Sequence, residues 1–328
     1  MSGDEYKDVW VFSEVSQISF ELLGRARALA DTLGCKAVAL NLGPDSAAVS
    51  QDYISRGADV VLAVNNPLLK GFRVEPYSDA VAELANAHKP SVILMGATKN
   101  GLELAPRIAE RLKTGCCTEC VRIEPDADKR FMLMDRLVFG GNVVETQIVK
   151  AKPQMATVAK GIFQSLPPDP SRKGEVIQAE PKINESSVRV LERKTKEAAT
   201  VRITDADVIV SFGRGIRKKE DANMIQNLAK VVGGVVGCSR PIAEDLKWLP
   251  VDQYIGLSGQ KVSPKLYIAC GISGQIQHIT GIRNSRIIVA INSDPKAPIF
   301  EFADYSAVGD LYQIVPAITE AIQRLSAK

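Results

Sequence analysis

One stretch limits the folds open to this chain more than any other: Leu266 to Asn292, LYIACGISGQIQHITGIRNSRIIVAIN. Leu266 to Cys270 is an apolar run of strand length, and Ile287 to Ile291 is a second. Runs apolar at every position suit strands buried on both faces, although periodicity alone does not separate them from a buried helix segment. Between them stand Gly271-Ile272-Ser273-Gly274 and then Gln275-Ile276-Gln277-His278. The spacing predicts strand, glycine turn, short helix, loop and strand. A glycine turn that leaves a strand and enters a helix lets backbone N–H groups close on an anion. The same turn also serves many α/β proteins as a plain tight bend. His278, seven residues past Gly271, and Asn292, at the end of the next strand, add polar groups where open α/β sheets hold ligands. These residues point to a nucleotide-type cofactor site.

The rest of the chain repeats the alternation. Val9 to Phe12, Ala37 to Leu42, Ala58 to Val64 and Ser91 to Met95 read as strands. Ser19 to Leu33, Tyr77 to Ala87 and Gly101 to Leu112 read as helices. In the first of these, Leu22, Leu23, Ala26, Leu29, Ala30 and Leu33 share one face, and Gly34 is a good stop. This order predicts a parallel sheet with helices on both faces. Phe131 to Val149 reads as a hairpin or sheet extension around Gly140-Gly141-Asn142, and Thr157 to Gly161 as a final strand. Leu166 to Gly174, with Pro167, Pro168 and Pro170, cannot continue a core element and is a loop or the start of a linker. Val188 to Arg193 is strand-like, and a polar stretch runs from there to Thr204.

Beyond it, Val208 to Phe212 and Val235 to Arg240 read as strands, with a helix from Glu220 to Val232 between them. Tyr254 to Gly259 reads as a short strand and turn, and Val308 to Leu325 as a last helix. Gly213, Ser239, Ser258 and Ser273 each follow a strand in this reading, which predicts one crevice along one sheet edge. A length of 328 residues suits two cores. The expected fold class is therefore α/β with two domains. A nucleotide-binding-like parallel sheet covers residues 1–190, a linker 191–203, and a doubly wound C-terminal domain 204–328.

Several function classes recede on composition. A net charge of +3 is too small to indicate nucleic acid, and 5% aromatics leave little for base stacking. No apolar run reaches about 18 residues, so no membrane insertion is expected. The start, MSGDEYKD, has neither a secretory core nor transit-peptide character, and a cytoplasmic location is expected. Six cysteines in a chain this long read as free thiols. Cys117-Thr118-Glu119-Cys120 has no second pair, and with only His88 and His278 a four-ligand metal site is hard to assemble. Gly96 to Gly101 reads either as a phosphate loop or as a tight loop before a helix; it lacks the lysine-serine end of a P-loop. No G-x-G-x-x-G follows an early strand, which argues against a self-sufficient NAD(P) oxidoreductase. A non-catalytic nucleotide-binding module remains open from the first domain alone.

The pattern L-Y-I-A-x-G-I-S-G-x-I-Q-H-x-x-G, then six residues, then I-V-A-I-N, closely resembles the signature of electron transfer flavoprotein alpha subunits. The flanking segments, G-A-T and L-A-P-R-I-A among them, match the same family in order, so the resemblance covers essentially the whole chain. It implies FAD held by the second domain, and a first domain of similar shape that is not the flavin site. Arg214, in Gly-Arg-Gly, matches an arginine that holds the cofactor. Ser239 and Arg240 match a Ser-Arg pair whose guanidinium lies against the isoalloxazine ring.

Ile255, Gly256, Leu257 and Ser258 fall in a further contact segment. Ser258 aligns with a threonine whose hydroxyl reaches N5, while Leu257 departs from the common glutamine and loses its amide. Ser273, Gly274, Gln277 and His278 align with diphosphate and ring-edge contacts, His278 with flavin O2. Gly271, Gln275 and Ile276 belong to the same run. Asn292 matches a contact near the ribityl-to-adenosine half. Asp310 and Leu311 match an adenosine contact, though Asp310 also suits a helix N-terminus by charge alone.

The resemblance further implies an obligate heterodimer with a beta subunit. It implies an electron carrier rather than a stand-alone enzyme, fed by acyl-CoA dehydrogenases or similar flavoenzymes of fatty acid beta-oxidation and emptied by a quinone-linked oxidoreductase. A variant of the same family bifurcates electrons from NADH between ferredoxin and a CoA-ester or quinone.

Overall fold

The computed structural model describes residues 5–43, 49–192 and 202–326. The chain divides into two compact units, residues 1–193 and 194–328. The expected linker at 191–203 falls largely outside the described residues.

The first unit is a parallel sheet wrapped by helices. It begins β1 (Lys7–Phe12), α1 (Ser16–Leu33), β2 (Ala37–Leu42), α2 (Ser50–Ser55) and β3 (Val60–Val64). Then come α3 (Val74–His88), β4 (Pro90–Gly96), α4 (Lys99–Arg111) and the two-residue β5 (Cys116–Cys117). β6 (Cys120–Pro125), β7 (Met132–Val138) and β8 (Val143–Gln147) form a separate antiparallel sheet. β9 (Gln154–Val158) and β10 (Glu175–Gln178) return to the main one. Its order is β10-β3-β2-β1-β4-β9-β5, parallel throughout.

Burial on both faces explains the unbroken apolar strands. In β3, Val61 joins the core under α1, while Leu62 and Val64 join the core under α3 and α4. Each such fully buried side chain contributes roughly 1.5–3 kcal/mol. α1 ends where expected, because Gly34 takes a φ of 67° and its N–H closes on the Ala30 carbonyl.

Three readings of the first unit change. The strand expected at Thr157 to Gly161 starts earlier, at Gln154, since its register follows β4 from Val92 to Gly96. It is not the last strand: β10, with Val176 exposed, was too polar to announce itself, yet it pairs with β3 at the sheet edge. Of the two readings of the proline-rich run 166–174, the loop holds. It folds back on the unit, where the Asp169 N–H donates to the Ser55 carbonyl. The strand expected at Val188 to Arg193 is absent over 188–192, where Leu191 is exposed; Arg193 lies outside the described residues.

The second unit holds β11 (Val208–Phe212), α5 (Ala222–Val231), β12 (Val235–Cys238), β13 (Leu266–Cys270), α6 (Ile276–Ile282), β14 (Ile288–Asn292), β15 (Tyr305–Val308) and α7 (Leu311–Ser326). The five strands run parallel in the order β12-β11-β13-β14-β15. α5 and α7 pack on one face, with Ile225, Leu228 and Val315 at the centre. α6 packs on the other through Ile279 and Ile282. The sheet is doubly wound, and both units are α/β as expected.

Three boundaries here correct the sequence reading. β12 stops at Cys238, so Ser239 and Arg240 lie beyond the strand, at the start of a helical turn over Pro241–Asp245. Tyr254 to Gly259 is no strand of the sheet; it makes single bridges, Cys238 with Tyr254 and Ile255 with Gln260. Val308 belongs to β15, and α7 begins at Leu311.

Candidate functional site

In the strand order β12-β11-β13-β14-β15, the chain leaves β11 toward one edge and later returns to build toward the other. The carboxyl ends of β11 and β13 therefore open a crevice between loops that diverge, which is where doubly wound sheets hold ligands. A cavity of about 600 Å³ lies there. That volume suits a cofactor rather than an ion.

Three segments form most of its wall: Gly213, Arg214, Gly215 and Arg217 after β11; Ser239, Arg240 and Pro241 after β12; and Gly271, Ile272, Ser273, Gln275, Gln277 and His278 after β13. Tyr254 and Ile255, Asn292 and Ser293, and Asp310, Leu311 and Tyr312 complete it. The opening stretch of the sequence analysis thus supplies the longest single piece.

Glycine is required where two of these loops meet. Gly215 N–H donates to the Gly271 carbonyl at 3.1 Å. A Cβ on Gly271 would stand 2.7 Å from the Gly215 Cα, and one on Gly215 would stand 2.6 Å from the Gly271 Cα. Gly271 also has a φ of 61°, where any side chain is strained. The two turns can lie back to back only as glycines.

The structure sorts the expected residues into wall and support. Arg214, Ser239, Arg240, Ile255, Gly271, Ser273, Gln275, Gln277, His278, Asn292, Asp310 and Leu311 come together on the cavity. Gly256, Leu257, Ser258, Gly274 and Ile276 lie off its wall. Gly274 is buried, and a Cβ there would collide with the backbone of Ile299, so its glycine serves packing. Ile276 packs into the core under α6, and Leu257 is 55% exposed. The Ser258 hydroxyl lies 3.1 Å from the hydroxyl of Tyr254, which does line the cavity. Ser258 follows no sheet strand, contrary to the expected series of strand ends.

Two wall residues are already engaged. The Asn292 amide donates to the Ile272 carbonyl at 2.9 Å, and its oxygen accepts the Asp294 N–H at 3.0 Å. Asn292 thereby holds the glycine turn in place. The Asp310 carboxylate accepts the Tyr312 N–H at 2.9 Å and so caps α7. The arginines are freer. Arg240 is 64% exposed, and its contact with Glu244 is a loose 3.9 Å. That exposed pairing is worth little. Arg214 is exposed.

Sequence reasoning missed Pro241, Arg217, Tyr254, Ile272 and Tyr312. Arg217 stacks over the Tyr312 ring, 5.4 Å from its centroid, and its N–H donates to the Tyr312 hydroxyl at 2.8 Å. That hydroxyl in turn donates to Asp221 at 2.7 Å. The only signal was position: Tyr312 stands two residues past Asp310.

His278 is the buried polar residue of the site. Its Nε2 lies 2.9 Å from the Tyr267 hydroxyl, and its Nδ1 is buried without a hydrogen bond. Burial pushes its pKa down to about 4, against a weaker upward pull from the Ile255 backbone. The imidazole is therefore neutral at physiological pH. Burial also raises the Tyr267 hydroxyl well above its ordinary value and the Cys270 thiol to about 12, so neither ionises. Among the described residues, no three His, Cys, Asp or Glu side chains converge as a metal site. No described helix is long and apolar enough to cross a membrane.

The Gly96 to Gly101 loop resolves as a helix cap. Thr98 Oγ1 accepts the Gly101 N–H at 2.8 Å and donates to Glu14 at 2.6 Å. A carboxylate at that point repels phosphate.

A doubly wound sheet, a switch-point crevice, a back-to-back glycine turn, exposed arginines and a neutral buried histidine define a nucleotide-cofactor-binding protein. Comparison with known proteins carries this further. The electron transfer flavoprotein domain model matches residues 9–184, and the electron transfer flavoprotein FAD-binding domain model matches residues 202–283. An electron transfer flavoprotein subunit alpha of Thermoanaerobacterium thermosaccharolyticum is 45% identical over 98% of this chain and 99% of its own length. One of Clostridium acetobutylicum is 38% identical over 98% and 99%. The lactate dehydrogenase (NAD(+),ferredoxin) subunit LctC of Acetobacterium woodii is 38% identical over 94% of this chain and 74% of its own.

The chain belongs to the electron transfer flavoprotein alpha-subunit family. It is an electron-transfer subunit, its cofactor is FAD, and its family pairs it with a beta subunit in a heterodimer. The residues present fit that cofactor: exposed Arg214 for the anionic half, exposed Arg240 for the ring, and a buried, unsatisfied Nδ1 of His278 for a ring acceptor.

Proposed function

We propose that this subunit holds FAD in the crevice between the β11 and β13 ends and carries electrons from acyl-CoA dehydrogenases or related flavoenzymes to a quinone-linked oxidoreductase, in the cytoplasm. The observation that carries the placement is the convergence of Arg214, Ser239, Arg240, Ser273 and His278 on one 600 Å³ cavity. The bound flavin supplies the one- and two-electron chemistry. Arg214 and the turn Gly271 to Ser273 would hold the diphosphate; Arg240 would meet the ring and favour negative charge on it. Ser239 and Gln277 would orient the cofactor, and His278 would donate to a ring-edge carbonyl. Asp310 and Leu311 would contact the adenosine half. All these residues fall within 204–328, which is taken as the FAD domain, with 1–190 as the subunit-contact domain and 191–203 as the link.

A second reading, electron bifurcation from NADH to ferredoxin and a CoA-ester or quinone, draws on the similarity to LctC, a subunit named for NAD(+) and ferredoxin. One experiment separates the two. The FAD-loaded heterodimer is mixed anaerobically with an acyl-CoA dehydrogenase and its substrate, or with NADH alone, and flavin bleaching is followed. The carrier reading expects bleaching only through the dehydrogenase. Bleaching by NADH alone supports bifurcation, and bleaching by neither removes both donors.

A further inference from the structure

Tyr267 and His278 come from different elements, β13 and the first turn of α6, yet their polar ends meet inside the core. Tyr267 is 0% exposed and His278 7%. A second hydroxyl lies beside them. Ser211, on the neighbouring strand β11, pairs in register with Ala269, so its side chain shares the α6-facing side with Tyr267. The Ser211 hydroxyl is fully buried near the Tyr267 hydroxyl and makes no hydrogen bond.

The direction of the chain follows from proton counting. Tyr267 carries one O–H, and a neutral imidazole carries one N–H. If Nε2 held the imidazole proton, it would donate to Tyr267, and both the Tyr267 O–H and the Nδ1 lone pair would be buried without a partner. If Nδ1 holds it, Tyr267 donates to Nε2 and only the Nδ1–H is left unpaired. The consistent arrangement runs Tyr267 O–H to Nε2, with the proton on Nδ1. Nδ1 makes no hydrogen bond of its own, although His278 forms part of the cavity wall. A buried donor left unpaired is costly, so it is held for an acceptor that the ligand brings.

We propose that Tyr267 is a positioning residue: it fixes His278 as the neutral Nδ1–H tautomer and so sets which ring nitrogen donates to the cofactor. The inference rests on the FAD reading of this crevice for its ligand, but the tautomer belongs to the chain itself.

The test uses the heterodimer with only this subunit ¹⁵N-histidine labelled, so that His88 and His278 are the sole labelled histidines. His88→Gln assigns the signals. Long-range ¹H–¹⁵N correlation, with and without FAD, is expected to find the His278 proton on Nδ1 in both states. In Tyr267→Phe the proton should distribute over both nitrogens. FAD binding should weaken about fivefold, the equivalent of about 1 kcal/mol for one misaligned hydrogen bond. A wild-type proton on Nε2 overturns the proposal, even if Tyr267→Phe does not fold. So does a Tyr267→Phe protein with unchanged tautomer and unchanged FAD affinity. If instead Arg214→Ala and His278→Ala leave FAD affinity unchanged, the crevice assignment fails while the tautomer result stands.

Discussion

Replacing Gly271 by alanine tests whether the back-to-back glycine turn is what holds the cofactor site open. Two costs add at this position. A φ of 61° places the new side chain in the left-handed region, which costs roughly 1–2 kcal/mol. The Cβ would also meet the Gly215 Cα at 2.7 Å and the Leu311 Cδ2 at 2.8 Å. The leucine can rotate, but the Gly215 backbone cannot yield without moving the loop that carries Arg214. Overpacking of this kind costs about 1–3 kcal/mol. The sum is about 2–5 kcal/mol. Gly233→Ala is the control: its φ is 66°, yet nothing lies within 4 Å of the added Cβ, so only the backbone cost of about 1–2 kcal/mol applies. Urea unfolding of both variants, with FAD retention after gel filtration, separates the terms. Gly271→Ala should lose more stability and most of its FAD. Gly233→Ala should lose less and keep FAD in full. Equal losses of stability and equal FAD retention would refute the reasoning, because contact between the two loops would then have no consequence.

Other outcomes follow from the same structure. His278 has its folded pKa depressed to about 4 from 6.5, so its neutral burial is without cost above pH 6.5. As pH falls from 6.5 toward 4, the unfolded chain takes a proton that the folded chain refuses. Stability should then fall by about 3 kcal/mol, and His278→Gln should flatten that part of a denaturant-midpoint profile. Arg240→Ala should leave the fold intact and lower the flavin's first reduction potential by about 40 mV, the equivalent of about 1 kcal/mol for one electron; an unchanged potential in spectroelectrochemistry would make Arg240 a mere surface charge. Thr98→Ala should cost about 1 kcal/mol of stability through the lost cap and leave FAD affinity untouched; a drop in affinity would revive the phosphate-loop reading of 96–101.

The sequence carried the fold wherever strands are buried on both faces. Leu266 to Cys270 and Ala37 to Leu42 read at their observed bounds, because an unbroken apolar run has few other uses. Edge strands were not legible: β10 and β15, with Val176 and Tyr305 exposed, are held by backbone pairing to β3 and β14, which side-chain pattern does not record. The site followed the same rule. Residues next to strand ends, such as Arg214, Ser273 and His278, could be read from spacing and resemblance. Tyr254 and Tyr312 reach the cavity only through tertiary folding. Gly274 and Ile276 share the motif but face the core, because a helix and a turn show one side to the ligand and the other to Ile299 and the sheet.

Hydrogen exchange on the heterodimer, with and without FAD, tests the placement of the cofactor most directly. FAD is expected to protect backbone amides in 213–217, 239–241 and 271–278, the loops that line the crevice. Protection confined to residues 5–192 of this subunit, with those three loops unchanged, would contradict the account.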